Sequence, residues 1–166
     1  MKNCYFIGMP GCGKSTFAKQ CAKKLNMEWI DLDEAIEKNA CRSIPEIFKN
    51  SGEEVFRKLE ALALNEISKK DGCVISTGAG AVLKTENIGA MKNSGVLIFI
   101  DTPLELLIER NEIKGRPLLK GGPAAIEELY LKRQHIYKAV CDYSVYNDSS
   151  AETTVLKLCE LIQKII

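Results

Sequence analysis

Gly8-Met9-Pro10-Gly11-Cys12-Gly13-Lys14-Ser15 follows a short apolar run, Asn3–Ile7, and precedes an amphipathic segment, Lys14–Leu25. In that segment Phe17, Ala18, Cys21, Ala22 and Leu25 repeat at the spacing of one helical face. A buried strand, a glycine-rich turn and a helix N-terminus in that order make an anion cradle. The glycines let backbone N–H groups point inward, and the helix dipole adds partial positive charge at the same place. Lys14 would reach outer phosphates and Ser15 would offer a hydroxyl to a magnesium ion. The stretch therefore reads as a phosphate-binding loop for a nucleoside triphosphate.

The flanking chain sets the fold class. Further strands are expected over 28–32, 73–76, 96–100 and 143–146, with helices over 33–39, 53–68, 103–112, 123–140 and 152–166. Thr102-Pro103 reads as a cap and first helical position, and Ser51 with Glu54 reads as a capping box. Short apolar strands alternating with helices predict a parallel sheet covered on both faces, an α/β/α sandwich. A chain of 166 residues suits a single domain over 1–166. The polar stretch 111–122, rich in Gly, Lys and Arg, reads as a mobile lid between two helices.

Composition narrows the function classes. A formal net charge of +1, with no dense basic cluster, speaks against a nucleic-acid face. No apolar run approaches the roughly 18 residues a membrane span needs, and the early loop leaves no room for a signal peptide. Seven scattered cysteines without a Cys-x-x-Cys pair point to a reducing cytoplasm rather than to disulfides or zinc. Cys12, inside the loop and near a helix N-terminus, is a candidate reactive thiol; the alternative is a small residue tolerated in the turn.

A phosphate loop does not say what receives the phosphate. Asp31 and Asp33 fall at the carboxyl end of the second strand, where α/β sheets bind ligands. One could hold magnesium, directly or through water, and the other could accept a hydrogen bond from a substrate hydroxyl. The competing reading makes Asp33 the cap of the next helix. Arg57 borders the inward stripe of Phe56, Leu59, Ala63 and Ile67, with Glu60 three residues on to hold it. Ser76-Thr77-Gly78-Ala79-Gly80-Ala81 is a second glycine-rich turn at a strand end, able to offer N–H donors. Arg110, Arg116 in Gly115-Arg116-Pro117-Leu118-Leu119, and Arg133 ahead of Tyr137 complete the set.

Taken together, these motifs resemble shikimate kinase across nearly the whole chain. The matching pieces are the loop, Asp31-x-Asp33, Phe56-Arg57-x-x-Glu60, Thr77-Gly78-x-Gly80, Arg116-Pro117-Leu118-Leu119 and Arg133-x-x-x-Tyr137. The resemblance implies a P-loop kinase fold of the nucleoside-monophosphate-kinase type, with a five-stranded parallel sheet of order 2-3-1-4-5 and a lid. It implies transfer of the ATP γ-phosphate to the 3-hydroxyl of shikimate, with Mg2+, by a cytoplasmic enzyme; a monomer is expected. Catalysis would fall to Lys14, Asp33 and Arg116. ATP would be held by Gly11, Cys12, Gly13, Lys14, Ser15, Thr16, Arg110 and Arg116, and the metal by Ser15 and Asp31. Shikimate would meet Asp33, Arg57, Gly78, Ala79, Gly80 and Arg133, within an acceptor segment about 33–60, the turn and the last arginine helix. Asn147-Asp148 looks like the adenine loop. The family usually has glycine where Ala79 stands; if that backbone needs φ > 0, alanine costs roughly 1 kcal/mol. A gluconate-type kinase lacks its motif here, and a dead kinase-like module would have lost Lys14, Asp33 or Arg116.

Overall fold

The computed structural model describes residues 1–114 and 121–166, with side chains described outside 111–120. Arg116 and most of the 111–122 segment expected as a lid lie outside the described residues.

Five parallel strands, β1 Asn3–Ile7, β2 Glu28–Asp31, β3 Cys73–Ser76, β4 Gly95–Asp101 and β5 Tyr143–Tyr146, form one sheet in the order β2-β3-β1-β4-β5. The helices are α1 Lys14–Leu25, α2 Leu32–Ala40, α3 Ile44–Ile67, α4 Thr85–Ser94, α5 Leu104–Lys114, α6 Gly122–Val140 and α7 Ala151–Ile165, with a 3-10 turn at Ala81–Leu83. Every residue of central β1 is buried, as are the four of β3. Their near-continuous apolar character is what a sheet covered on both faces requires. One helical layer contains α1 packed on α7; the other contains α4 between α3 and β4, with α6 against β4. Among the described residues no helix is long and apolar enough to cross a membrane.

The strand order places the ends of β1 and β3 side by side, so the phosphate loop and the second glycine turn share one crest. Asn3 secures that neighbourhood: its amide donates to the Lys70 carbonyl at 2.7 Å and accepts from the Cys73 N–H at 2.9 Å, fixing where β3 starts against β1.

Three differences from the expected elements have local causes. The helix expected to start at Glu53 already runs from Ile44, because Ser43 and Glu46 form the capping box with Pro45 in the first turn. No Ser51–Glu54 box forms among the described residues: Gly52 at φ 79, ψ 173 kinks the helix there, Ser51 accepts from Arg42, and Glu54 pairs with Lys58. Helix α4 went unread because its only wholly buried residues are Asn87 and Met91, which leave little periodic pattern. Third, α5 starts at Leu104, and the Thr102 hydroxyl accepts from the Asn147 amide.

Two glycines give opposite predictions. A methyl on Gly95 would stand 2.2 Å from the Asn3 carbonyl of the adjacent strand, so Gly95→Ala should lose about 1–3 kcal/mol. Gly89, inside α4, has open space around it, and Gly89→Ala should gain about 0.5–1 kcal/mol. Urea denaturation of both variants measures the two signs.

Candidate active site

The phosphate loop is built as its sequence requires. Gly11 and Gly13 adopt φ 80 and φ 98, left-handed values that a side chain would strain, and Gly13 caps α1. Ser15 and Thr16 lie exposed in the first helical turn, where amides precede the helical ladder. Lys14 is only 8% exposed, and its ammonium donates to the Gly8 and Met9 carbonyls, both at 2.9 Å. Cys12 is wholly buried with its sulfur 3.7 Å from that ammonium. The small-residue reading of Cys12 therefore replaces the reactive-thiol one, since a reagent has no path to the sulfur.

A brace from the far edge of the sheet holds the loop. Asn147 is completely buried; its amide donates to the Cys12 carbonyl at 3.1 Å and to Thr102 at 2.9 Å, and it accepts from Thr154 at 3.0 Å. The asparagine read as part of an adenine loop thus acts through the loop backbone.

At the end of β2 the two aspartates divide their work. Asp31 is the cap of α2, accepting from the Asp33 and Glu34 amides at 3.0 and 3.3 Å, while its other oxygen takes the Ser76 hydroxyl at 2.8 Å. The competing reading of Asp33 as the cap therefore fails. Asp33 is free to line the cleft with the loop, Thr77 and Gly78, around a space of about 180 Å³. By surface area Asp33 is exposed, although protein atoms crowd its carboxyl enough to strip part of its hydration. Desolvation, followed by the Asp31 charge, pushes its carboxyl up to about 6, with Lys14 pulling the other way.

Across the cleft, one guanidinium nitrogen of Arg57 donates to both oxygens of Glu60, at 3.0 and 2.9 Å, and the remaining edge faces Glu53 at 3.3–3.4 Å. Glu60 has no exposed side-chain surface. Burial pushes its carboxyl above the usual range despite the Arg57 bonds, and the charges of Lys84 and Arg133 also reach it. Arg133 lies half-buried on α6, one turn before Tyr137. Glu60 thus holds Arg57 directly, while the Arg133 charge acts on the same carboxylate without a hydrogen bond among the described residues.

The second glycine turn fills the floor between them. A methyl on Gly80 would lie 2.5 Å from both Arg57 nitrogens, and one on Gly78 would lie 3.2 Å from Asp33 and Glu60 oxygens. A side chain at Gly80 would thus displace the Arg57 guanidinium, whereas one at Gly78 would press on the two carboxylates by a few tenths of an ångström. Ala79 is not among the residues with positive φ, so the alanine carries no backbone strain. The N–H groups of Gly78, Ala79 and Gly80 have no hydrogen-bond partner among the described residues, which leaves a cluster of donors for an anion.

Arg110 is half-buried on α5. Among the described residues no three His, Cys, Asp or Glu side chains are grouped to hold a metal. A cation there would depend on phosphate oxygens and the few hard oxygens of Ser15 and Asp31. Sequence reasoning missed the brace at Asn147 and the bond from Tyr137 to Ala79; the i, i+4 spacing of Arg133 and Tyr137 was the available signal for the second.

A phosphate loop that opens onto a small pocket lined by Lys14, Asp33 and the second glycine turn, at the crest of a 2-3-1-4-5 sheet, defines the class: a P-loop kinase of small molecules. The shikimate kinase family model matches residues 10–163. A shikimate kinase of Clostridium botulinum (strain Eklund 17B / Type B) is 44% identical over 163 residues, covering 98% of each chain. One from Aquifex aeolicus (strain VF5) is 39% identical, covering 93% of this chain and 92% of that one. Among solved structures, a shikimate kinase from Acinetobacter baumannii in complex with shikimate superposes with a TM-score of 0.91 at 32% identity, covering 99% and 94% of the two chains. The crystal structure from Aquifex aeolicus gives 0.85 at 37% identity, covering 97% and 96%. The chain belongs to the shikimate kinase family.

The raised Asp33 carboxyl yields a signed prediction. A carboxyl whose folded value exceeds its unfolded one destabilises the fold where it is ionised, fully above about 6 and not at all below the ordinary 3.8. Asp33→Asn should therefore raise the melting temperature at pH 7 and leave it nearly unchanged at pH 4, by calorimetry at both values. The acid limb of kcat/KM in the unaltered enzyme should have its midpoint near 6.

Proposed function

We propose that the chain transfers the γ-phosphate of ATP to the 3-hydroxyl of shikimate, giving shikimate 3-phosphate and ADP, within the synthesis of chorismate and the aromatic amino acids. The observation that carries this reading is Arg57 held on buried Glu60, beside Asp33 and a turn whose three N–H groups have no partner among the described residues, with the Arg133 charge acting on the same carboxylate. That is a site for one carboxylate attached to a hydroxylated ring. Planar guanidinium groups grip a carboxylate in two-point fashion, which lysine cannot match.

Asp33, ionised at neutral pH but more basic than an ordinary carboxylate, orients the attacking hydroxyl and takes its proton as the bond to phosphorus forms. Amides of Gly11, Cys12, Gly13, Lys14, Ser15 and Thr16 cradle the phosphates, and the Lys14 ammonium balances charge on the moving phosphoryl group. Such a transfer needs little covalent help, so position and charge supply most of the rate. The exposed Ser15 hydroxyl fits a magnesium ligand; Asp31, with both oxygens engaged, fits the ion through a bridging water. Mg2+, when bound, would neutralise phosphate charge. Arg110 is assigned to the adenine face. Arg116, outside the described residues, keeps its assigned place beside the γ-phosphate.

In this reading residues 1–166 act as one kinase domain, with 33–60 as acceptor segment, working as a cytoplasmic monomer without nucleic-acid or membrane partners. All seven cysteines are unpaired, which accords with a reducing compartment.

The test is ADP release with shikimate, quinate, gluconate and nucleoside monophosphates in parallel. Shikimate alone should give efficient turnover. Arg57→Lys should raise the shikimate KM about tenfold or more with a smaller change in kcat, because one planar clamp becomes a point charge. Lys14→Ala should abolish turnover. Turnover with gluconate in place of shikimate, or an unchanged KM in Arg57→Lys, would overturn the acceptor assignment.

A further inference from the structure

Tyr137 takes no part in the chemistry so far, yet it is bonded to the acceptor turn. It is fully buried on α6, its ring stacks on Phe99 of β4 with centroids 5.3 Å apart, and its hydroxyl donates to the Ala79 carbonyl at 2.7 Å. Burial pushes the phenol well above its ordinary range, so it remains protonated and a donor at any working pH.

The bond to Ala79 has a stereochemical consequence. A trans peptide is planar, and its C=O and the following N–H point in opposite directions. The described residues contain no cis peptide. Pinning the Ala79 oxygen toward α6 therefore turns the Gly80 N–H away from α6. That N–H has no partner among the described residues, although Gly80 is buried. A buried N–H without a partner is costly, and a structure retains one where a ligand completes it.

We propose that Tyr137 is a positioning residue for the acceptor carboxylate: its hydroxyl sets the 79–80 peptide so that the Gly80 N–H faces the anion. The inference rests on the assignment of shikimate to this pocket and adds to it a group that never meets the substrate. It also accounts for alanine at position 79. The side chain there is immaterial, because the turn's orientation is imposed from outside through its carbonyl.

Tyr137→Phe keeps the ring on Phe99 and removes only the hydroxyl. The expected result is a shikimate KM raised about five- to tenfold, the size of one lost hydrogen bond, with kcat and the ATP KM within about twofold. Inhibition by the neutral methyl ester of shikimate should be unaffected, because it lacks the anion that the donors serve. In a cycle with Arg133→Ala, the two substitutions should be less than additive. In the unaltered protein the Gly80 amide proton should move downfield in NMR spectra when shikimate is added.

An unchanged shikimate KM in Tyr137→Phe overturns the proposal. So do equal losses for shikimate, ATP and the ester with a lowered melting temperature, which would mark a purely structural tyrosine. A Gly80 amide indifferent to shikimate overturns it without any variant. Wild-type protein that fails to turn over shikimate removes the acceptor assignment and this inference together; wild-type turnover with an unchanged Phe variant removes the inference alone.

Discussion

Burying an ionised carboxylate costs several kcal/mol unless partners surround it, and Glu60 has no exposed side-chain surface. Arg57 supplies two hydrogen bonds from the same helix, and Arg133 approaches from α6, some 70 residues later in the sequence. Gly78 and Gly80 leave the space that lets the turn descend onto these groups. The acceptor half of the cleft is thus organised about one hidden charge. Arg57 is oriented by Glu60 before any ligand arrives.

The donor half was the more legible. Glycines at fixed spacing between an apolar run and an amphipathic one carry their own backbone geometry, and the observed φ of Gly11 and Gly13 follows from it. Strands β1, β3 and β5 and helix α1 have the limits their patterns predicted, because apolar runs bounded by glycine or charge leave few choices. The pattern Ser-x-x-Glu, by contrast, occurs twice within a dozen residues. Only the conformation of Gly52 and the ion pair of Glu54 decide that the first copy, Ser43 with Glu46, forms the box.

The acceptor half could be named from its motifs but not built from them. A glutamate on a charged helix reads as solvated, and nothing local to residues 53–60 says that Glu60 is buried, since the turn after β3 descends onto it. The consequence of Ala79 hung on a φ angle that no local pattern supplies. Asp31 and Asp33 looked equivalent two residues apart until the start of α2 at Leu32 made the first a cap and left the second to the cleft. That allocation depends on Ser76 of the neighbouring strand, which takes the last free oxygen of Asp31.

Asn147 ties the carbonyl of Cys12 to Thr102 at the end of β4 and to Thr154 in α7. Three segments that are remote in sequence thereby share a single amide, and the nucleotide loop inherits the stiffness of the sheet edge and of the last helix. Its ordering entropy is settled during folding, so a triphosphate meets a cradle that need not be arranged on arrival. The same linkage runs outward: a change in the packing of α7, far from any ligand, reaches the phosphates through one side chain.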